Sequence, residues 1–249
     1  MRRWRTQRIT GAALAAPVGL ALLAGCAASS AHASGHASAP ADQPAGRVLS
    51  RAIAAVRGAS TVHIEVRVTT GAASVTYSDD AGGSFGDQII AASNGGTATV
   101  LEVKGVGYFK ANVPGLVGFL GLSGTDAKKF AGQWISFQPG DVGYQRVVSG
   151  VTLGSVADEL ALGGQVRSLG ARRVAGQAVI GLQGGTPPVW NARMGGTATL
   201  YVAAGAMPLP VTFRATTDGG GASAAFSRWG EPVHVTPPAH TIPSSSVVS

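Results

Sequence analysis

The chain has 249 residues, of which only 12% are charged, and its formal net charge is +7. Four of the 19 Lys and Arg residues are Arg2, Arg3, Arg5 and Arg8, at a start that carries no acid; the rest of the chain holds 15 basic against 12 acidic residues, a net of +3. So mild a balance, with no basic cluster interleaved with aromatics, argues against a nucleic-acid partner, and a single cysteine excludes an intramolecular disulfide.

The basic start is followed by an apolar run from Gly11 to Gly25. At about fifteen residues it falls short of the roughly twenty that a spanning helix needs. A charged start, a short apolar run and a small-residue cut site together read as a secretory signal. The run ends in Leu22-Leu23-Ala24-Gly25-Cys26, and Leu-Ala-Gly-Cys resembles a bacterial lipobox. The resemblance implies that residues 1–25 are a lipoprotein signal peptide and that Cys26 carries diacylglycerol and further acyl chains such as palmitate. The anchor would then hold the protein on the extracytoplasmic face of the cell membrane. One acyl chain anchors weakly, whereas two or three hold stably.

Residues 26–46 are rich in Ala, Ser, Gly and Pro and lack apolar periodicity, as expected of a flexible tether. His32 and His36 lie in it with no third ligand near, so no metal site is expected there. The domain proper is predicted over residues 47–238, with a disordered Pro/Ser-rich tail at 239–249.

Within the domain, Leu49, Ala52, Ile53 and Val56 form one apolar stripe at helical spacing, which predicts a helix over Arg47–Arg57. Thr61–Thr70 alternates Val62, Ile64, Val66 and Val68 against His63, Glu65 and Arg67, the pattern of a half-buried strand. Strands are predicted next at Ala73–Ser78, Gly83–Ala91, Thr97–Val103 and Gly107–Ala111. Short links such as Asp79-Asp80-Ala81-Gly82 join them into an antiparallel meander. Val113–Leu122 is apolar but interrupted by three glycines, and a short helix capped by Thr125 is expected after it. Trp134–Phe137 returns to extended structure, and Thr152–Leu162 is a second amphipathic helix. Strands resume at Gln165–Val174, Gln177–Gln183, Thr197–Ala203, Val211–Thr217, Ser223–Trp229 and Val233–Thr236. The fold class that follows is α+β, a single curved antiparallel sheet with a few helices covering one apolar face.

These segments resemble the actinobacterial LppX/LprAFG lipoproteins. The resemblance is carried by Thr61-Val62-His63-Ile64-Glu65-Val66, by Gly107-Tyr108-Phe109-Lys110-Ala111 with Trp134, and by Val174-Ala175-Gly176-Gln177 leading into Val179-Ile180-Gly181-Leu182. It continues through Ala198-Thr199-Leu200-Tyr201-Val202 and Leu209-Pro210, and closes with Phe226-Ser227-Arg228-Trp229-Gly230-Glu231-Pro232-Val233 and Pro237-Pro238. It implies a half-barrel whose concave apolar face is covered by helices around a cavity for acyl chains, and a role in carrying lipids or lipoglycans in the cell envelope. Val113–Gly132 is longer and greasier than that pattern.

On this reading Val62, Ile64, Val66 and Val68 form one cavity wall, Leu101 and Val103 extend it, and Leu116, Val117, Phe119 and Leu120 form a lid. The expected partners are the membrane, an acyl lipid or lipoglycan and an envelope transporter, with the protein a monomer. A second reading stays open, an anchored adaptor that holds a protein or cell-wall partner without lipid cargo. Catalysis is not expected: no Gly-x-Ser-x-Gly elbow, phosphate loop or zinc-ligand spacing occurs, and Asp158 and Glu159 project differently from their helix. Neither a cofactor nor a metal is expected. His63 is read as a surface histidine without an acidic neighbour, and Trp229 as a cap on the core.

Overall fold

A computed structural model describes residues 43–190 and 195–247. The signal peptide, Cys26, His32 and His36 lie outside the described residues. No helix among the described residues is long and apolar enough to cross a membrane.

Helix α1 (Ala45–Gly58) buries Val48, Leu49, Ala52 and Val56. It starts two residues ahead of the sequence expectation, inside the stretch assigned to the tether. Five strands follow: β1 (Thr61–Thr70), β2 (Ala73–Gly82), β3 (Phe85–Ala92), β4 (Thr97–Val103) and β5 (Val106–Ala111). Asp79-Asp80-Ala81-Gly82 is therefore not a link but the second half of β2. Its backbone pairs on both sides, Asp79 with Ile64 and Gln88, and Ala81 with Val62 and Gly86. Two ladders outweigh the local turn preference of adjacent Asp and Gly.

The apolar segment after β5 is one short helix, α2 (Val113–Gly115), running into a π-helical turn at Leu116–Leu120. Asn112 caps it by accepting from the Gly115 N–H at 2.8 Å. Helix α3 (Gly124–Phe130) is capped by Ser123 rather than Thr125, with Ser123 Oγ accepting from the Asp126 N–H at 3.0 Å. After β6 (Ile135–Phe137) comes α4 (Tyr144–Val148), an unexpected helix of five residues that buries Tyr144, Val147 and Val148. Helix α5 (Leu153–Glu159) is shorter than predicted, and Thr152 and Ser155 close a capping box at its start.

The second half is again a meander: β7 (Gly163–Val174), β8 (Gln177–Gly185), β9 (Gly196–Ala203), β10 (Pro210–Thr217) and β11 (Gly220–Ser227). Strand β11 returns to pair antiparallel with β1, which joins the two meanders into one sheet. With β12 (Ile242–Pro243) the order is β12-β6-β5-β4-β3-β2-β1-β11-β10-β9-β8-β7, an unclosed twelve-stranded sheet. All neighbours are antiparallel except β12, which lies parallel to β6.

Val233–Thr236 forms no strand, and within the segment expected to be disordered residues 242–247 make ordered contacts. Ile242 pairs with Ile135, and the buried Ser244 hydroxyl donates to Asp141 Oδ2 at 2.6 Å. The single-sequence pattern could not show this, because two residues of ladder and one hydrogen bond carry no periodicity. Trp229 does close the last hairpin: its ring stacks at 6.3 Å on Phe226, and its Nε1 donates to the Pro210 carbonyl.

The concave face holds two separate apolar clusters. Helices α1 and α5 pack over β1 and β8–β11, around Val56, Leu153, Leu182 and Leu200. The α2 and π-helical turn and α4 pack over β4–β6, around Val100, Phe109, Leu116 and Phe137. The helices are too short to bridge the space between the clusters.

Candidate ligand-binding cavity

That space is a cavity of about 530 Å³. Its floor follows from strand register. One row across the sheet pairs Val66 with Tyr77 and Tyr77 with Ile90. The next pairs Ile64 with Asp79, Asp79 with Gln88, Gln88 with Val100 and Val100 with Phe109. The first row is mainly apolar, and the second places a carboxyl and an amide in the middle of an apolar strip. The roof comes from Gly118, Phe119 and Leu120 of the π-helical turn, Arg146 and Val147 of α4, and Glu159 of α5. A narrow extension of about 50 Å³ continues under α5 between Ile64, Val156, Leu160 and Phe213.

The loop between α4 and α5 approaches the sheet closely enough to require glycines. A Cβ on Gly86 would collide with the Val151 carbonyl. Gly150 adopts φ +78°, a left-handed conformation that a side chain would strain, and it stands beside the Asp79, Gln88 and Glu159 side chains.

The electrostatics of the polar end are set by burial. Removal from water pushes Asp79 up to about 8, aided by the nearby Glu159 and opposed by a hydrogen bond from the Gln88 side chain. Burial likewise raises Glu159, against the hydrogen bond that Ser149 Oγ donates to its Oε1 at 2.7 Å. Tyr77 is raised by burial and by Asp79. The end of the cavity is thus acidic in composition but favours the neutral carboxyl of Asp79 at neutral pH.

The residues singled out from the sequence divide four ways. Val66 and Val68 line the main cavity, and Ile64 lines the extension. Val62 is fully buried in the α1–α5 cluster and reaches neither space. Leu101 and Val103 are not cavity residues. In β4 it is Ala98, Val100 and Glu102 that are buried, while Leu101 and Val103 are partly exposed on the convex side. The stretch Val100-Leu101-Glu102-Val103 offers an apolar residue to either face, and only pairing of Val100 with Gln88 and Phe109 fixes which face is inside. In the apolar turn, Leu116 is core, Val117 is 43% exposed, and Phe119 and Leu120 line the cavity. One half of the expected lid is therefore packed structure and the other half is roof.

Sequence reasoning missed the polar end. Reading Asp79 as a turn residue hid the alternation Val75, Tyr77, Asp79, Ala81 that continues along β2 and would have placed it on the inner face. On the convex side, His63 is not isolated: its Nδ1 lies 2.7 Å from Asp80 Oδ1 and its Nε2 3.0 Å from Glu65 Oε1. Among the described residues, no group of three or more His, Cys, Asp or Glu could hold a metal ion.

The curved sheet and its covering helices have a fold similar to that of two solved mycobacterial structures. The solved structure of LprF from Mycobacterium bovis superposes with a TM-score of 0.51 at 16% identity, covering 79% of this chain and 97% of that one. The Mycobacterium tuberculosis lipoprotein LppX gives 0.51 and 16%, covering 77% and 99%. The likeness is one of fold. No protein-family model matches the sequence, and no curated protein matches it.

Proposed function

We propose that the protein is an extracytoplasmic lipoprotein, anchored through Cys26, that binds the acyl chains of a lipid or lipoglycan in its concave cavity and carries or presents them in the cell envelope. The observation that carries this reading is the unfilled space of about 530 Å³ between two complete apolar clusters, roofed by Phe119 and Leu120. An adaptor with no cargo has no need of such a space. Each methylene transferred from water contributes about 0.8 kcal/mol, so a chain of about ten gains roughly 8 kcal/mol before the cost of ordering it. The reading is of a binding protein rather than an enzyme: among the described residues the cavity lining contains no His, Cys or Lys, and its one serine, Ser149, donates to Glu159. An envelope transporter that accepts the cargo, and action as a monomer, belong to the same proposal.

The test is native mass spectrometry of protein purified without detergent, with and without delipidation and re-exposure to lipid extract. A discrete co-purifying or reloaded acyl species is the expected result. A persistent apo mass after exposure would remove the lipid-carrier reading.

A further inference from the structure

Acyl binding leaves Asp79 unexplained. Its side chain is only 3% exposed, its Oδ1 has no hydrogen-bond partner, and it faces both the cavity and the extension. A buried polar oxygen left unpaired costs about 1–3 kcal/mol, and a wholly apolar ligand would leave that cost in place. The nearby donors are engaged elsewhere on the same groups: the Gln88 side chain already bonds the Asp79 carboxyl, and the Ser149 hydroxyl bonds Glu159.

Gly150 stands close to three of these groups. A single Cβ added there would stand 3.4 Å from Gln88 Nε2, 3.8 Å from Glu159 Oε1 and 3.9 Å from Asp79 Oδ2. Three polar side chains from β2, β3 and α5 thus converge beside Gly150 at one end of the cavity. Away from it the floor passes to Val66, Tyr77 and Ile90 and the roof to Phe119 and Leu120. The cavity has one polar end and one apolar end, the layout of an amphiphile.

The chemistry at the polar end selects among headgroups. A phosphate or carboxylate would face two acidic side chains, Asp79 and Glu159, with Arg146 the one cationic residue in the lining among the described residues. An ammonium would require an ionised carboxylate in an apolar chamber, at a desolvation cost of several kcal/mol. A hydroxyl carries no charge and both donates and accepts, so it complements a carboxyl whichever oxygen holds the proton. We propose that Asp79, Gln88 and Glu159 form a headgroup subsite in which the Asp79 carboxyl hydrogen-bonds the neutral hydroxyl of an amphiphile whose alkyl chain lies along Val66, Tyr77, Ile90 and Leu120. The inference rests on the acyl-binding reading above and assigns the class of ligand to it.

The test is calorimetric titration of the full chain in detergent-free buffer, at neutral pH, with four probes of matched length: decan-1-ol, methyl nonyl ether, decanoate and decylammonium. The ether has the same heavy atoms as the alcohol but no donor. The alcohol is expected to bind about tenfold or more tighter than the ether, and tighter than either ion. In Asp79→Leu the alcohol's advantage over the ether should fall below about twofold while ether binding persists. Equal binding of alcohol and ether to the wild-type chain would overturn the subsite yet leave acyl binding intact. Tightest binding of decanoate or decylammonium would overturn it in favour of charge recognition. Failure of all four to bind would instead overturn the acyl-binding reading, and the subsite with it. The wild-type comparison decides the matter even if Asp79→Leu does not fold.

Discussion

The buried carboxyl of Asp79 should make the stability of this protein fall as pH rises through a range where most proteins are indifferent. Its folded value is about 8, against 3.8 for the free side chain, and burial is the leading cause. Between those values the folded state holds a proton that the unfolded state has released, so the unfolded state gains ground with every step toward alkali. The effect is absent below about pH 4, grows to about pH 8 and is flat beyond it. At 1.36 kcal/mol for each unit, the interval of about four units sets an upper bound near 6 kcal/mol. Water reaching the cavity would lower the figure, so a slope of about 1 kcal/mol per pH unit between about pH 5 and about pH 7 is the working expectation. Asp79→Asn keeps the shape and an oxygen acceptor but cannot ionise. Urea denaturation of wild type and variant at one-unit steps from about pH 4 to about pH 9 should show the variant gaining on the wild type steadily and then levelling. Glu159, raised in the same direction, is present in both proteins, so the difference between them reports Asp79 and its coupling to that neighbour. Two parallel stability curves would mean that Asp79 is ionised and solvated in the folded protein, and the account of the polar end given above would be wrong.

Other expectations concern placement and packing. Val100→Ala, at a position 1% exposed on the inner face, should cost about 2 kcal/mol and enlarge the cavity, whereas Leu101→Ala on the convex side should cost under about 1 kcal/mol and leave acyl uptake unchanged; denaturant midpoints with a fluorescent fatty-acid probe check both. Leu116→Ala should lose about 2–5 kcal/mol and Val117→Ala under about 0.5, a contrast across one peptide bond that thermal denaturation will show if the π-helical turn packs as described. Thr152→Ala removes the capping box of α5 and should cost about 1 kcal/mol, restored largely by Thr152→Ser. Val68→Trp, which directs a large ring into the cavity, should reduce lipid uptake severalfold while shifting the unfolding midpoint little; undiminished uptake would place the bound chain elsewhere.

Several of these features were legible in the one-dimensional pattern. The alternation in Thr61–Thr70 marked β1 to the residue, because a strand with one buried face must repeat every second position. The stripe Leu49, Ala52, Ile53, Val56 marked the inner face of α1 for the corresponding reason at helical period, with Ile53 only partly buried at its edge. Thr152 announced the start of α5, since capping is a local hydrogen bond among neighbours in sequence. Long β segments punctuated by Gly and Asp were enough for the fold class, an unclosed antiparallel sheet covered by short helices.

What the chain could not declare were properties that arise between strands. Asp79 reads locally as a turn residue and becomes a buried acid only because β1 and β3 pair with it on either side. Leu101 and Val100 are equally apolar, and their opposite fates are settled by register with β3 and β5. Glu159 lies next to Asp158 in sequence, yet Asp158 meets Arg57 at the surface while Glu159 turns toward Ser149 and the cavity. The cavity itself belongs to no segment: it is the distance left between two apolar clusters by helices too short to span them. Local sequence determines which faces are apolar and where elements begin, because those effects act over a few residues. Which polar groups are trapped inside, and what space remains beside them, depends on contacts distant in sequence, and only the tertiary structure decides it.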